Sequence, residues 1–208
     1  MGWVAVISGR DREFLSERLE STMLLGSYGV ELPPELSPTG FPEGFPAGAV
    51  RARLGAARQD LEGAISRFAG SRLEVKPWGL ALHYRGAGPR FDEAAATSLA
   101  ESVAAAHGLK VQRGRLVLEL KPREAVDKGW AMRRLVEVLA PSAVVFVGDD
   151  LGDKAAWEAT RDIDLPGLAV GIASPELPSD ALAACNLVLP GREALAPFMK
   201  ALVQAARG

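Results

Sequence analysis

Three aspartates follow one short apolar segment of the sequence. Asp149, Asp150 and Asp153, called here the aspartate cluster, come directly after Val-Val-Phe-Val-Gly, and a helix-like segment begins at once after them. Three carboxylates at one strand tip repel one another unless a cation joins them. Hard divalent ions such as Mg²⁺ prefer oxygen ligands of this kind. The spacing therefore predicts a phosphate and metal site, although Asp150 and Asp153 could also simply cap the helix.

A lysine opens another helix-like segment. Asp127 precedes Lys128 and Gly129, and the apolar residues that follow recur at helical spacing. Asp127 is predicted to cap this helix, whereas Lys128 would lie at the positive end of the helix dipole, where a cation is disfavoured unless an anion compensates it. A phosphate or a carboxylate would do so, and a solvated surface lysine is the alternative. Gly129 would let a ligand approach the helix closely.

A third candidate lies near the start of the sequence. Trp3 to Ile7 is a short apolar run, and Ser8-Gly9-Arg10 joins it to a polar helix predicted over 11–19. A hydroxyl and backbone N–H groups at such a junction can face an anion. This motif alone is weak evidence for an anion site, because a serine at such a turn is at least as often a simple helix cap.

These junctions lie in segments that alternate between strand and helix. Before Pro33 the sequence predicts a strand, a helix and a second short strand or hairpin. After Pro122 it predicts a helix, a strand, a helix, two strands and a final helix from Glu193. Both parts therefore have α/β character.

The middle of the chain has a different pattern. The stretch 33–48 is rich in proline and glycine and is predicted as a linker. The part that follows predicts a helix, two strands, a helix and two strands, which is a compact α+β unit. We therefore predict an insertion, 35–121, in an α/β core formed by 1–34 and 122–208.

Composition indicates a soluble globular protein with a small-molecule ligand. The 208 residues are 48% hydrophobic, and a net charge of -2 gives no electrostatic reason to bind nucleic acid or an anionic membrane. The single Cys185 excludes an internal disulfide framework. No secretory signal and no membrane-spanning run is found in the sequence, so we expect a cytoplasmic protein.

The three junctions together are more specific than any one of them. Ser8, Lys128 and Asp149 occur in the order of motifs two, three and four of the haloacid-dehalogenase superfamily of phosphotransferases, which this set resembles. The surrounding segments are similar to those of one family within it, the trehalose-6-phosphate phosphatases. These segments are Val-Ala-Val-Ile-Ser-Gly-Arg, Gly-Ser-Tyr-Gly-Val-Glu, Ala-Leu-His-Tyr-Arg-Gly-Ala, Leu-Glu-Leu-Lys-Pro, Ala-Val-Asp-Lys-Gly-Trp-Ala and Phe-Val-Gly-Asp-Asp-Leu-Gly-Asp.

The resemblance implies a Rossmann-like haloacid-dehalogenase core covered by a mobile α+β cap, and hydrolysis of trehalose 6-phosphate to trehalose and phosphate with Mg²⁺. In that family pattern the aspartate cluster holds Mg²⁺ or orients its waters. Lys128 would neutralise the nucleophile and the phosphoryl group, and Ser8 with the Gly9 amide would hold phosphate oxygens. The resemblance also implies charged partners for the sugar at Arg10, Glu31, Arg85, Glu119 and Lys121.

One motif of the family has no counterpart in these 208 residues. It is a strand ending in Asp-x-Asp-Gly-Thr, which carries the nucleophile and the general acid. Asp162-Ile-Asp164 lacks an apolar strand before it and is rejected as a substitute. We therefore expect weak Mg²⁺ binding and no covalent phosphoryl transfer by this chain alone. At the centre of the core sheet we expect exposed apolar surface or re-paired strands. An incomplete chain explains this more simply than an evolved inactive enzyme.

Two alternatives stay open. One is a sugar phosphatase of the same superfamily with another phosphorylated sugar, and the other is a non-catalytic module that binds a sugar phosphate. A nucleotide-binding dehydrogenase is disfavoured, because no Gly-x-Gly-x-x-Gly follows a strand. The family resemblance also suggests association with a trehalose-6-phosphate synthase.

Overall fold

The chain folds into three sheets with helices packed on them. The structure, a computed structural model, describes residues 2–20, 22–89, 91–175 and 177–205. Within these ranges the strands form a two-stranded parallel sheet, a four-stranded antiparallel sheet and a three-stranded parallel sheet, in that order along the chain. No helix among the described residues is long and apolar enough to cross a membrane.

The two-stranded sheet forms the start of the chain. It pairs β1 (Ala5–Ile7) with β2 (Met23–Leu25) in parallel. The helix between them, α1 (Arg12–Ser16), begins after Asp11, whose carboxylate accepts a backbone hydrogen bond from its first turn. The predicted strand, helix and second strand are confirmed, although the helix is shorter than expected.

The antiparallel sheet has the strand order β3-β4-β6-β5 and carries two helices on one face. Leu61, Leu82 and Leu118 belong to the large buried cluster that fills the space between helices and sheet. The predicted order of elements is confirmed. These elements are α2 (Ala47–Ile65), β3 (Arg72–Lys76), β4 (Gly79–His83), α3 (Glu93–Ala106), β5 (Leu109–Gly114) and β6 (Val117–Pro122).

The segment before α2 has neither helix nor strand over 33–46, as expected of a linker. It is nevertheless anchored by apolar contacts. Leu36 is buried, and the rings of Phe41 and Phe45 lie edge-on against Trp78, with centroids 5.1 and 5.3 Å away. The linker is therefore part of the packed structure.

The last part of the chain forms the three-stranded parallel sheet, in the order β7-β8-β9. Asp127 caps the first helix through the Trp130 backbone N–H, as predicted. That helix, α4, packs on α5. The elements are α4 (Lys128–Leu139), β7 (Val144–Gly148), α5 (Lys154–Asp162), β8 (Gly167–Ile172), β9 (Leu187–Leu189) and α6 (Leu195–Ala205).

The edges of β1 and β7 stay unpaired on one side, where no strand among the described residues bonds to them. Ile7 of β1 and Phe146 of β7 nevertheless pack against one cluster, formed by Met132 of α4 and Ala156 of α5. Strands β2 and β8 are largely buried, whereas β1 and β7 are half-exposed, with Val145 at 37%. Exposed apolar surface, one of the two expected consequences, is confirmed.

Candidate anion and metal site

The turn after β1 is held by the turn that follows β2. Ser8 Oγ accepts a hydrogen bond from the Arg10 backbone N–H at 3.1 Å. The Tyr28 N–H donates to the Ser8 carbonyl, and the Ser27 N–H donates to the Arg10 carbonyl, both at 2.8 Å. Because Asp11 caps α1, Ser8 is not the cap of that helix. Its hydroxyl instead closes the Ser8-Gly9-Arg10 turn.

The aspartate cluster lies at the carboxyl end of β7 and is ordered by its own hydrogen bonds. Asp153 is buried, and its Oδ2 accepts from the backbone N–H groups of Asp149 and Asp150 at 2.9 and 3.0 Å. Asp150 Oδ1 accepts from the Gly152 N–H at 2.5 Å. Asp150 and Asp153 thus form a reciprocal capping box. The capping role considered for them is confirmed.

Two cations offset the repulsion between these carboxylates. Lys128 is only 6% exposed, and its Nζ donates to Asp153 Oδ1 at 2.6 Å and lies 4.0 Å from Asp150 Oδ2. Arg192 donates two hydrogen bonds to Asp149 Oδ2, at 2.7 and 3.1 Å. Lys128 is therefore not a solvated surface lysine, and it faces an anion as the dipole argument requires.

Arg192 is a site residue that the sequence analysis missed. It follows Gly191 in the loop between β9 and α6, at the carboxyl end of the outer parallel strand. Parallel strands bring their carboxyl ends to one edge of a sheet. A charged residue in the loop that follows β9 could therefore have been predicted to lie near the aspartate cluster. The spacing of residues within the aspartate cluster does not indicate Arg192.

Gly129 serves helix packing and not ligand approach. A Cβ atom at this position would collide with the backbone of Ala155 on α5. The hypothesis that the glycine leaves room for a ligand is wrong, since the neighbouring helix occupies that side. The close approach of α4 to α5 is what places Lys128 beside Asp153.

The free oxygens of the aspartate cluster suit a hard cation. One carboxylate oxygen from each residue lies within 4.8 Å of the others. Both oxygens of Asp153 are already engaged by Lys128 and by backbone N–H groups. Asp149 Oδ1 and Asp150 Oδ2 accept no hydrogen bond from the described residues. The donor set therefore fits an ion held by Asp149 and Asp150, with Asp153 orienting them.

Tyr28 joins the turn after β1 to the aspartate cluster. A Cβ on Gly9 would lie 2.7 Å from its ring, and one on Gly152 would lie 3.6 Å from it. The tyrosine takes the left-handed backbone conformation, with φ 63°. Burial, and then the nearby carboxylate of Glu119, raise the pKa of Tyr28, so its hydroxyl stays neutral.

Glu119 and Lys121 of β6 face this tyrosine from the antiparallel sheet. Lys121 Nζ lies 3.7 Å from the Tyr28 ring centroid and 2.9 Å from Glu119 Oε2, and Lys76 bonds the other oxygen of Glu119. Burial opposes ionisation of Glu119, but the two ammonium groups outweigh it and lower its pKa. Burial also lowers the pKa of Lys121. With Trp78 these residues line a cavity of about 30 Å³, room for about one water.

Two further residues predicted for the sugar lie near this cavity. Glu31 bridges the parallel and antiparallel parts, since its Oε2 accepts from the Arg12 N–H at 2.7 Å and its Oε1 from the Trp78 indole N–H at 3.0 Å. Arg10 is exposed on the turn after β1. Glu31 therefore lies beside Trp78 at the cleft between Tyr28 and β6, and the charge of Arg10 is close enough to act on the pKa of Tyr28, which it lowers against the larger effect of burial.

Other sequence candidates lie apart from this group. Arg85 is exposed beyond the far end of β4, whose near end, Gly79, lines the cavity. An extended stretch of that length spans roughly 20 Å. Asp162 ends α5, a nine-residue helix that begins beside the aspartate cluster, so it is displaced by about 13 Å. The rejection of Asp162 and Asp164 agrees with this position.

Comparisons with known proteins show which families the chain is similar to. A family model described as trehalose-phosphatase matches residues 2–184. An uncharacterized glycosyl hydrolase of Mycobacterium tuberculosis is 35% identical over 170 residues, which are 76% of this chain and 12% of that protein. A trehalose-phosphate phosphatase of Mycobacterium marinum is 34% identical over 165 residues, which are 75% of this chain and 41% of that protein. The chain therefore spans less than half the length of these relatives.

Solved structures show the fold. A trehalose-6-phosphate phosphatase related protein superposes with a TM-score of 0.71 at 20% identity, covering 97% of this chain and 81% of that one. A haloacid dehalogenase-like hydrolase from Bacteroides thetaiotaomicron gives 0.56 at 14% identity, covering 88% and 79%. With the parallel strands described above, these likenesses confirm the predicted α/β fold of the haloacid-dehalogenase type.

Proposed function

Because this chain belongs to the trehalose-phosphatase family, we propose that it serves the hydrolysis of trehalose 6-phosphate to trehalose and phosphate. The observation that carries the proposal is the convergence of three predicted junctions. Tyr28 lies against both Gly9 and Gly152, and Lys128 is bonded to Asp153. Amide, ammonium and carboxylate groups thus meet at one edge of the parallel strands.

The phosphate would lie between the Ser8-Gly9 turn and Lys128. One proton of the Lys128 ammonium is used by Asp153, which leaves two donors for phosphate oxygens. Phosphoryl transfer depends mainly on positioned groups that neutralise charge spread over the oxygens. A buried ammonium is well suited to this task, because the low dielectric around it strengthens its attraction for an anion.

We propose Mg²⁺ as the cation of the aspartate cluster, held by Asp149 and Asp150. The bound ion would neutralise negative charge on the phosphate oxygens. Asp153 fixes the backbone of both ligands through its Oδ2. Arg192 bonds only one oxygen of Asp149, so the other oxygen stays available to the metal.

The sugar would be bound by Glu31, Glu119 and Lys121, whose charged groups form strong hydrogen bonds with hydroxyls. The cavity that Glu119 and Lys121 line holds about one water, far less than a disaccharide needs. Entry of the substrate therefore requires β6 to move away from Tyr28. A mobile cap over 35–121, as predicted from the sequence, would provide that movement. A cytoplasmic location and a synthase partner stay predictions from the sequence.

The 208 residues contain no Asp-x-Asp-Gly-Thr, and Asp162 lies far from the site. We therefore expect the 208-residue chain by itself to bind substrate without forming an aspartyl-phosphate. This same observation favours the second candidate, a non-catalytic module that binds a sugar phosphate. Measured phosphate release then distinguishes the enzyme from the non-catalytic module. Only the enzyme releases phosphate once an aspartate from outside these residues enters the site.

Calorimetric titration tests the proposal. Trehalose 6-phosphate is expected to bind in the presence of Mg²⁺ at least about tenfold more tightly than trehalose or glucose 6-phosphate. Asp149→Asn should abolish the Mg²⁺ dependence, whereas Asp162→Asn, a matched change outside the site, should leave it intact. Equal binding of trehalose, or tighter binding of another sugar phosphate, contradicts the proposed substrate.

A further inference from the structure

Arg192 reaches the aspartate cluster from a loop whose backbone is held in place. The short turn that begins at Arg192 follows Gly191, and the Ala194 N–H donates to the Gly191 carbonyl at 3.1 Å. Ala194 and Leu195 pack against the buried cluster that joins β8 and β9. The origin of the arginine side chain is therefore fixed, although the side chain itself is 81% exposed.

The guanidinium group of Arg192 forms a forked contact with one carboxylate oxygen. Its Nη2 and Nε donate to Asp149 Oδ2 at 2.7 and 3.1 Å. Because the guanidinium is rigid and planar, two of its donors restrict a carboxylate more than a single donor does. Arg192 is the only side chain among the described residues that bonds the carboxylate of Asp149. This contact therefore determines how that carboxylate is oriented.

The two cations beside the aspartate cluster divide its carboxylates between them. Lys128 bonds Asp153 and lies 4.0 Å from Asp150 Oδ2. Arg192 bonds Asp149 through Oδ2, and Asp149 Oδ1 accepts no hydrogen bond within the described part of the chain. In metal sites the ligating carboxylates are themselves hydrogen-bonded by neighbouring groups, and these bonds orient the ligand. The arginine supplies such a bond at Asp149.

We propose that Arg192 is a positioning residue for the divalent cation of the aspartate cluster. Its forked contact fixes Asp149 in an orientation that keeps Oδ1 free for the ion, and the contact persists when the ion is bound. Arg192 touches neither the ion nor the substrate in this role and acts only through Asp149. The inference rests on the cation proposed above and adds to it a residue from a distant part of the chain.

The charge of Arg192 acts in the opposite direction to its hydrogen bonds. A guanidinium cation repels a divalent cation, so charge alone would weaken the binding of Mg²⁺. Water and salt screen this repulsion, because the arginine side chain is largely exposed. The hydrogen bonds, in contrast, act directly on the ligand carboxylate. We therefore expect orientation to outweigh repulsion, and the sign of the change in affinity distinguishes the two effects.

An NMR titration of the full chain with MgCl₂, following the backbone amide of Asp150, tests this inference. Arg192→Met removes both hydrogen bonds and the charge, and Mg²⁺ should bind at least about tenfold more weakly. Arg192→Lys keeps the charge but cannot form the fork, so it should recover only part of the loss. Neither change should alter the midpoint of thermal unfolding without Mg²⁺, because the side chain is exposed.

Lys154→Met provides the matched control. Lys154 directly follows Asp153 and pairs with Glu158 on α5, and within the described residues it bonds none of the three aspartates. This variant removes a positive charge near the aspartate cluster and leaves the ligands oriented. Binding of Mg²⁺ should therefore be unchanged or slightly tighter.

The side chain of Arg192 gives a second readout in the same titration. Its Nε–H signal should shift with the dissociation constant that the Asp150 amide reports. The exchange of this Nε–H with water should stay slow at saturating Mg²⁺, because the hydrogen bond to Asp149 persists. Rapid exchange at saturation would show that the ion displaces the arginine, which contradicts a positioning role.

Two further results would overturn the inference and leave the proposed cation in place. One is unchanged or tighter binding of Mg²⁺ by Arg192→Met, and the other is full recovery of affinity by Arg192→Lys. A third result would overturn the proposed cation together with this inference. It is Mg²⁺ binding by the unmodified chain that is absent, or that Asp149→Asn does not weaken.

Discussion

The antiparallel sheet and the parallel strands of this protein are stabilised in different ways. All four antiparallel strands form one continuous ladder, and one large cluster of buried side chains joins them to α2 and α3. The parallel strands form two separate ladders, and their buried residues fall into four smaller clusters. Since hydrophobic stabilisation grows with the apolar area buried, the antiparallel unit has the stronger core.

The parallel region compensates with polar contacts at the strand tips. The buried pair of Lys128 and Asp153, the two backbone N–H groups on Asp153 and the contact of Arg192 with Asp149 all lie there. The candidate site is therefore built where apolar packing is least continuous. The same charges that would hold phosphate and metal also tie α4 and the loop after β9 to the tip of β7.

The largest effect is expected from Lys128→Met. It leaves the carboxylate of Asp153 buried without its ion-pair partner and should lower the free energy of unfolding by about 3–5 kcal/mol. Urea denaturation followed by the fluorescence of the buried Trp157 measures it. Lys154→Met, which breaks an exposed pair with Glu158, should cost at most about 1 kcal/mol. Equal effects of the two changes would show that the parallel region does not rely on its polar tips.

Leu118→Ala should be nearly as damaging, but in the antiparallel unit. Leu118 is 0% exposed in the large cluster, so its truncation should cost about 2–5 kcal/mol, measured through the buried Trp78. The matched change Leu187→Ala, at a side chain 38% exposed on β9, should cost about 1 kcal/mol. A larger loss at Leu187 would reverse the comparison of the two cores.

Local elements were predictable from the sequence because their signals are local. The helix α4 and the strand β9 form as predicted after Pro122, since an apolar stripe and a cap at Asp127 define the helix and a short apolar run defines the strand. The strand β3 was also predicted, as the first strand after the first helix of the middle unit. The end of α1 was not predicted, because its polar face carries no stop signal, and the helix ends at Ser16.

The site was predictable only where residues are close along the chain. The aspartate cluster and Lys128 were found from spacing, but the bonds between Lys128 and Asp153 and from Arg192 to Asp149 join distant segments. Arg85 shows the opposite case. Its place in a family-like segment suggested a sugar contact, yet strand β4 carries it away from the cavity.

The pH dependence of the stability of Glu119→Gln tests the contact between the antiparallel sheet and the parallel region. Because the folded pKa of Glu119 is lowered from 4.5, its stabilisation is present above that pH and is lost as the pH falls through the lower folded value. The variant should be less stable by about 1–3 kcal/mol at neutral pH, with the difference shrinking below pH 4.5 in thermal unfolding. Glu101→Gln, in an exposed pair with Arg113, should show no such trend.

Tyr28→Phe should have the smallest effect. The ring keeps its contact with Lys121, so the free energy of unfolding should change by less than about 0.5 kcal/mol. Tyr28→Ala removes that contact and should cost about 1–2 kcal/mol in the same urea experiment. A larger loss for the phenylalanine variant would mean that the hydroxyl, and not the ring, joins the two regions.

The central claim is that the tips of the two separate parallel sheets form one anion site. An NMR titration with trehalose 6-phosphate and Mg²⁺, following the amides of Gly9 on one tip and of Asp149 and Asp150 on the other, tests it most directly. All three amides are expected to shift with a single dissociation constant, and Lys128→Met should weaken binding at all of them. Shifts confined to one tip, or different constants for the two tips, would contradict the account.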